Sequence, residues 1–78
     1  MIFKDLKEND LVYAYLNGQL IRKYEFKKWL DNKRVNLYDL EKLNDVVLTI
    51  NNRNQPQISI QTSRGIVKLS TREWNKWK

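Results

Sequence analysis

The alternation of hydrophobic and polar residues along the chain predicts a sheet built from hairpins. Strands are expected at 11–16, 19–24, 46–50, 57–62 and 66–69. The first two are separated by Asn17-Gly18, the strongest short hairpin signal, because both turn positions need positive φ. In a two-residue turn, Ala14 pairs with Ile21 and Tyr13 pairs with Arg22. This register places aliphatic side chains on one face of the hairpin, and on the other face Tyr13, Tyr15 and Tyr24 interleaved with Arg22.

A spacing typical of helices follows the hairpin. Phe26, Trp29 and Leu30 fall at i, i+3 and i+4, with lysines on the opposite side. This pattern predicts one broken helix or two short helices across 25–44. Near the end of the sequence, residues 70–73 read Ser-Thr-Arg-Glu, which has the form of a capping box. We therefore expect a short terminal helix that carries the last two tryptophans.

The predicted fold class is α+β. The element order is β-β-α-α-β-β-β-α, with a small antiparallel sheet of four to five strands and short helices. Seventy-eight residues make a single domain, 1–78, near the lower size at which one core folds unaided. The string K-E-N-D-L-V at 7–12 resembles the segment that leads into the first strand of small SH3-like barrels, with Asn9 where glycine is usual. That resemblance implies an alternative fold, an SH3-like small barrel with added helices.

The composition leaves little room for catalytic chemistry. The chain has no His and no Cys, so its serines lack a histidine base, and the usual zinc ligands and disulfides are missing. Gly18 and Gly65 are the only glycines, which excludes the glycine-rich phosphate-binding motifs. We expect no enzymatic activity, no cofactor and no metal. One catalytic alternative is open, since some small bacterial ribonuclease toxins work with Lys, Arg and Tyr alone.

Positive charge is concentrated in two parts of the chain. The net charge is +6, with +4 in residues 22–34 and +5 in residues 51–78, while 1–21 and 35–50 carry −1 and −2. Each basic part also contains tryptophan. Basic and aromatic residues that cluster together favour binding to a polyanion. We therefore predict a small basic non-enzymatic module that binds nucleic acid, with single strand, RNA and duplex left open.

The candidate nucleic-acid-binding residues have two expected roles. The tyrosines and arginine of the first hairpin would stack on or clamp bases, and the other cations would hold phosphates. The full set is Tyr13, Tyr15, Arg22, Lys23, Lys27, Lys28, Lys33, Arg34, Arg53, Arg64, Arg72, Lys76 and Trp77. The alternative for the tyrosines is that a helix covers them as part of the core, with their hydroxyls at the rim.

Other functions and partners fit the same features. The chain has the character of a phage or mobile-element accessory protein that binds a host protein and inhibits or redirects it, and its partner would then be an acidic protein surface. A structural protein of a virion is a third alternative. An exposed sheet edge makes a homodimer possible. No small-molecule substrate is evident. No stretch has the roughly 20 apolar residues of a membrane span, and the start lacks a signal peptide, so we expect a cytoplasmic protein.

Overall fold

The computed structural model describes residues 1–72 and shows a nearly all-β fold. A 3-10 helix, Phe3–Asp5, is followed by six strands: β1 (Leu11–Leu16), β2 (Gln19–Trp29), β3 (Arg34–Asp39), β4 (Asn44–Thr49), β5 (Gln57–Thr62) and β6 (Gly65–Ser70). Every pairing is antiparallel, and the strand order is β4-β3-β2-β1-β6-β5. The sheet curls into a half-barrel, whose two edge strands are β4 and β5.

The predicted α+β class is therefore wrong. β2 runs on to Trp29, and residues 34–39 form β3 where a helix was expected. Between Met1 and Arg72 there is no α-helix, so the alternative of a small barrel with added helices is wrong in the same respect. Nor does this part of the chain contain a helix long and apolar enough to cross a membrane. Ser70 ends β6, and the rest of the predicted terminal helix lies outside the described residues.

A β-bulge explains why the helical spacing was misleading. β2 pairs Phe26 with Leu37 and Lys28 with Asn36, so Lys27 is an extra residue in the ladder. Strict alternation would send Phe26 and Trp29 to opposite faces, whereas the bulge brings both to the inner face. Their ring centroids lie 6.0 Å apart. The i, i+3 spacing thus comes from a bulged strand, where it serves the same purpose of packing two aromatic rings together.

A second bulge changes the register of the first hairpin. Its turn is as predicted, with Asn17 at φ 53° and Gly18 at φ 80°. The next pairs are shifted, because Ala14 lies opposite Arg22 and Ile21 is the extra residue. Arg22 consequently moves from the tyrosine face to the inner face. Tyr24 lies on the inner face too, since it pairs with the fully buried Val12.

The core fills the concave side of the half-barrel. Its buried members are Phe3, Leu6, Val12, Ala14, Phe26, Val35, Leu37, Ile50, Val67 and Leu69. One end of the half-barrel is closed by the N-terminal segment, which bonds to the loop 51–56. The amide of Phe3 donates to Gln55 O at 3.0 Å, and the amide of Lys4 donates to Arg53 O at 2.8 Å. The opposite end carries the β1–β2, β3–β4 and β5–β6 turns and opens into a cleft.

Candidate functional site: the groove between the edge strands

Backbone groups on both edge strands point away from their neighbouring strands. In β5–β6 the amide of Thr71 donates to Pro56 O at 3.0 Å, which fixes the alternation of bonded and non-bonded pairs along that hairpin. The N–H and C=O groups of Gln57, Ser59 and Gln61 are therefore directed to the free edge. The bond from Ile50 N to Lys33 O fixes the alternation in β3–β4 in the same way. On β4 the outward groups belong to residues 45, 47 and 49.

Three adjoining depressions follow this open side of the half-barrel. The first, the mouth cleft, has a volume of about 230 Å³ and is lined by Leu48 of β4 and Ile60 of β5 among others. The second, of about 260 Å³, shares Ile60 and is lined mainly by polar residues: Thr49, Asn51, Asn52, Gln55, Gln57 and Ser59. The third, of about 430 Å³, shares Thr49 and is lined by Asp31, Asn32, Lys33 and Arg34. Because each depression shares a residue with the next, we treat them as one surface, the seam groove.

Positive charge lies at both ends of the seam groove. Arg22 and Arg64 line the mouth cleft, and Lys33 and Arg34 line the far end. Among the lining residues within 1–72, Asp31 is the one carboxylate. It lies 2.8 Å from Arg34 Nε and accepts the amides of Lys33 and Arg34. These bonds lower the pKa of Asp31 to about 2. Its charge is thus balanced by Arg34, which leaves the groove lining positive.

Arg22 is a cation held in a fixed position. Its Nε lies 3.6 Å from Oδ2 of the buried Asp39, and its Nη1 lies 3.0 Å from Oε1 of Glu41. Asp39 also accepts the amides of Glu41 and Lys42, at 2.8 and 3.0 Å. Burial by itself raises the pKa of Asp39, but these amide bonds and the charge of Arg22 hold that pKa below its ordinary value. The result is an ion-pair cluster that orients Arg22 at the mouth cleft.

Tyr24 supplies the aromatic ring of the mouth cleft. Burial raises the pKa of its phenol, and the charge of Asp39 raises that pKa further. Tyr24 is therefore a neutral hydrogen-bond donor at physiological pH. Its hydroxyl has no hydrogen-bond partner among residues 1–72, so it is free to bond a ligand. In the same part of the chain no group of three or more metal-ligating side chains lies close enough together to hold a metal ion.

The structure brings four of the predicted site residues together. Arg22, Lys33, Arg34 and Arg64 come from β2, the 30–33 loop, β3 and the β5–β6 turn, and all line the seam groove. Their convergence depends on the curl of the sheet, which carries β3 and the β5–β6 hairpin round to the same opening. The two basic parts of the sequence therefore contribute to one surface.

The two tyrosines lie on the outer face of β1, across the sheet from the groove. Tyr13 is half-buried and pairs with the exposed Lys23. Tyr15 pairs with Lys68, a neighbour that sequence reasoning missed, and is only 2% exposed although it lies outside the main core cluster. A ring that is this buried does not stack on a base without rearrangement of the fold. The candidate interface therefore excludes Tyr15.

The remaining predicted residues are dispersed. Lys27 Nζ lies 3.3 Å from Glu25 and 5.6 Å from the centroid of the Tyr38 ring, and Lys28 is exposed on the outer face of β2. Arg53 stacks at 4.6 Å over the ring of Trp29, whose Nε1 is buried without a hydrogen-bond partner. Arg72 is exposed after β6. Lys76 and Trp77 lie outside the described residues.

The amide-rich lining of the groove and the ring of Tyr24 were not among the predicted site residues. The amide-rich lining could have been predicted from the sequence, since Asn51, Asn52 and Gln55 form a polar cluster between two predicted strands. Tyr24 was placed on the wrong face because the bulge at Ile21 was not foreseen. Comparison of the chain with protein-family models, with curated proteins and with solved structures finds no match, so the site is interpreted from its own geometry.

Proposed function

We propose that this protein is a non-enzymatic nucleic-acid-binding module that holds a single strand of RNA or DNA in the seam groove. The observation that carries the proposal is the charge of the groove: cations line both ends, and the one lining carboxylate is already bonded to Arg34. Phosphates would contact the basic ends. Between them, the side chains of Asn51, Asn52 and Gln55 offer donors and acceptors suited to exposed base edges.

A single strand fits this surface better than a duplex. Duplex DNA is most often read by an α-helix or a two-stranded ribbon that enters the major groove. Residues 1–72 contain no α-helix, and each hairpin is paired along one side with another strand of the six-stranded sheet. The seam groove is instead a concave channel on a molecule of 31 × 27 × 24 Å. A channel of this kind suits a flexible strand with accessible bases.

The proposal is tested by fluorescence anisotropy with labelled single-stranded DNA, RNA and duplex DNA, titrated from about 50 to 300 mM salt. Arg22 and Arg34 are balanced by carboxylates, so Lys33 and Arg64 are the groove cations left to neutralise phosphates. With about two phosphates neutralised, the logarithm of the affinity for a single strand falls with the logarithm of the salt concentration with a slope of about −1.4. Replacing Lys33 and Arg64 together with alanine weakens binding at low salt and flattens this slope. A matched double variant, Lys4→Ala with Lys7→Ala, removes the same charge at exposed lysines that do not line the groove and leaves binding close to wild type.

Two results would contradict the proposal. One is the absence of binding to every nucleic acid at the lowest salt. The other is an equal loss of affinity in the groove variant and the matched control, since binding would then follow the net charge of the protein and not this surface.

A second candidate function, docking onto an acidic host protein, is supported by the edge of β5, which has no partner strand among residues 1–72. Residues 57–62 contain no charge, no proline and no bulge, the features that ordinarily prevent a sheet edge from pairing with another chain. Ser59→Pro removes an N–H that points to this edge and keeps the bonds to β6, whereas Ser59→Ala keeps that N–H. A protein partner that pairs with β5 no longer binds the proline variant but still binds the alanine variant. If the groove binds nucleic acid through its side chains, both variants keep their affinity for nucleic acid.

A further inference from the structure

We propose that the mouth cleft binds one unstacked nucleobase together with its phosphate. This inference rests on the proposed function and adds to it a defined nucleotide-binding pocket. The walls of the cleft are mostly apolar, and they come from both sides of the half-barrel: Ala14, Ile21, Tyr24, Leu48, Ile60, Val67 and Leu69. Ala14, Val67 and Leu69 are buried at the base of the cleft, whereas Ile21, Tyr24, Leu48 and Ile60 are only partly buried. Partly exposed apolar walls in a chain with a net charge of +6 favour a ligand that brings an apolar surface as well as a negative charge.

The size of the cleft limits what enters it. Its volume of about 230 Å³ is below the roughly 300–1,000 Å³ typical of sites for drug-sized ligands. A single planar ring fits this space. The ring of Tyr24 lies in the wall and offers a surface for stacking, and its unpartnered hydroxyl is available to a polar atom at the edge of the base.

The rim of the cleft is built to hold one phosphate. Arg22 lines the cleft, but its charge is balanced by Asp39 and Glu41. Arg64 has no ion pair within the described part of the chain, and the turn that carries it is fixed. Thr62 Oγ1 donates to Gly65 O at 2.8 Å and accepts the amide of Arg64 at 3.2 Å. The cleft therefore offers one uncompensated positive charge beside an apolar pocket, which matches a nucleoside monophosphate unit.

The test is an NMR titration of the full chain with thymidine 5′-monophosphate, and in parallel with deoxyribose 5-phosphate and inorganic phosphate. The methyl groups of Ile21, Leu48 and Ile60 report on the cleft, and those of Leu6 and Ile50 at the closed end serve as an internal control. We expect saturable shifts at the three cleft residues with the nucleotide and none with the two base-free probes. Arg64→Ala lowers the nucleotide affinity at least fivefold, and Lys7→Ala, at an exposed lysine that does not line the cleft, leaves it unchanged.

A second arm separates this inference from the proposed function. A tetrathymidylate binds at least tenfold more tightly than the abasic tetramer of the same length if a base occupies the cleft. Equal binding of the two tetramers, with no methyl shifts from the mononucleotide, overturns the base pocket while the proposed function stands. Identical methyl shifts from inorganic phosphate and the mononucleotide overturn it as well, since the cleft is then a simple anion site. Failure of both tetramers and the nucleotide to bind overturns both proposals.

Discussion

Replacing Tyr15 with alanine separates a structural role from a nucleic-acid-binding role for the outer face of β1. Tyr15 is 2% exposed, whereas Tyr13, two residues earlier on the same face, is half-buried. If the ring of Tyr15 is packed, its removal leaves a cavity and destabilises the fold. If it is a stacking surface that opens to ligand, its removal weakens binding and leaves the fold nearly intact.

The expected loss of stability is large for a chain of this size. Replacing a buried aromatic residue with alanine costs about 3–5 kcal/mol. At roughly 0.05–0.15 kcal/mol per residue, a 78-residue domain has a total stability of about 4–12 kcal/mol. A change of 1 kcal/mol shifts the melting temperature of such a domain by about 4–8 °C. We therefore expect Tyr15→Ala to lower the melting temperature by at least about 12 °C, and Tyr13→Ala to lower it by less because its side chain is only partly buried.

Circular dichroism melts and urea titrations of the two variants measure this effect. Oligonucleotide binding is measured below the melting temperature of the weaker variant, so that unfolding does not imitate lost affinity. The reasoning is refuted if Tyr15→Ala melts within about 3 °C of wild type, a shift of less than about 1 kcal/mol. A normal melt combined with lost oligonucleotide binding would return Tyr15 to the interface and move the binding surface to the outer face.

Three further predictions concern other parts of the fold. The pKa of Asp39 is lower in the folded chain than its unfolded value of about 3.9, so its carboxylate stabilises the fold above that pH. This stabilisation is lost as the pH falls through the folded pKa. The urea midpoint of wild type therefore drops more between pH 5 and 3 than the midpoint of Asp39→Asn. Gly18→Ala forces a methyl group onto a residue at φ 80° and lowers the free energy of unfolding by more than about 1 kcal/mol, whereas an unchanged urea midpoint would show that the turn relaxes. Arg53→Ala removes the cation over Trp29, costs about 0.5–1 kcal/mol and shifts the indole N–H resonance of that residue, which stays in place if the stacking does not persist in solution.

The alternation of hydrophobic and polar residues predicted the positions of several strands correctly, but not which residues pair across neighbouring strands. The run 57–62 coincides with β5, and the Asn17-Gly18 turn has the positive φ angles that its sequence requires. Beyond that turn the predicted register fails at Ile21, because a bulge adds one residue to β2 and reverses the faces from Arg22 to Phe26, until the second bulge at Lys27 restores them. A bulge in the middle of a strand leaves no turn residue in the sequence to mark it, so alternation alone does not reveal it.

The predicted helix failed for a related reason. Phe26 and Trp29 need to lie on one face, and both a helix and a strand with one bulge satisfy that requirement. Likewise, the cations of the groove were predicted individually, but their meeting at one opening depends on which strands lie at the edges of the sheet. That order arises from long-range pairing of β1 with β6, about fifty residues apart, which no local pattern specifies.

The open side of the half-barrel follows from how the loop 51–56 is used. β4 ends and β5 begins at the closed end, antiparallel to one another, so a short hairpin turn between them would have paired the two edges. Instead, carbonyl groups of the loop accept hydrogen bonds from the amides of Phe3 and Lys4, and this contact covers the end of the core. The edges of β4 and β5 consequently have no partner strand in the described part of the chain. The same loop conformation therefore stabilises the closed end of the core and leaves the groove between β4 and β5 open. If the groove binds a single strand as proposed, that strand binds only the folded chain, and at one hundred times its Kd it adds about 2.7 kcal/mol to the free energy of unfolding. For a domain of this size that is a substantial fraction of the total, so the proposed binding would couple the stability of the fold to the presence of the strand.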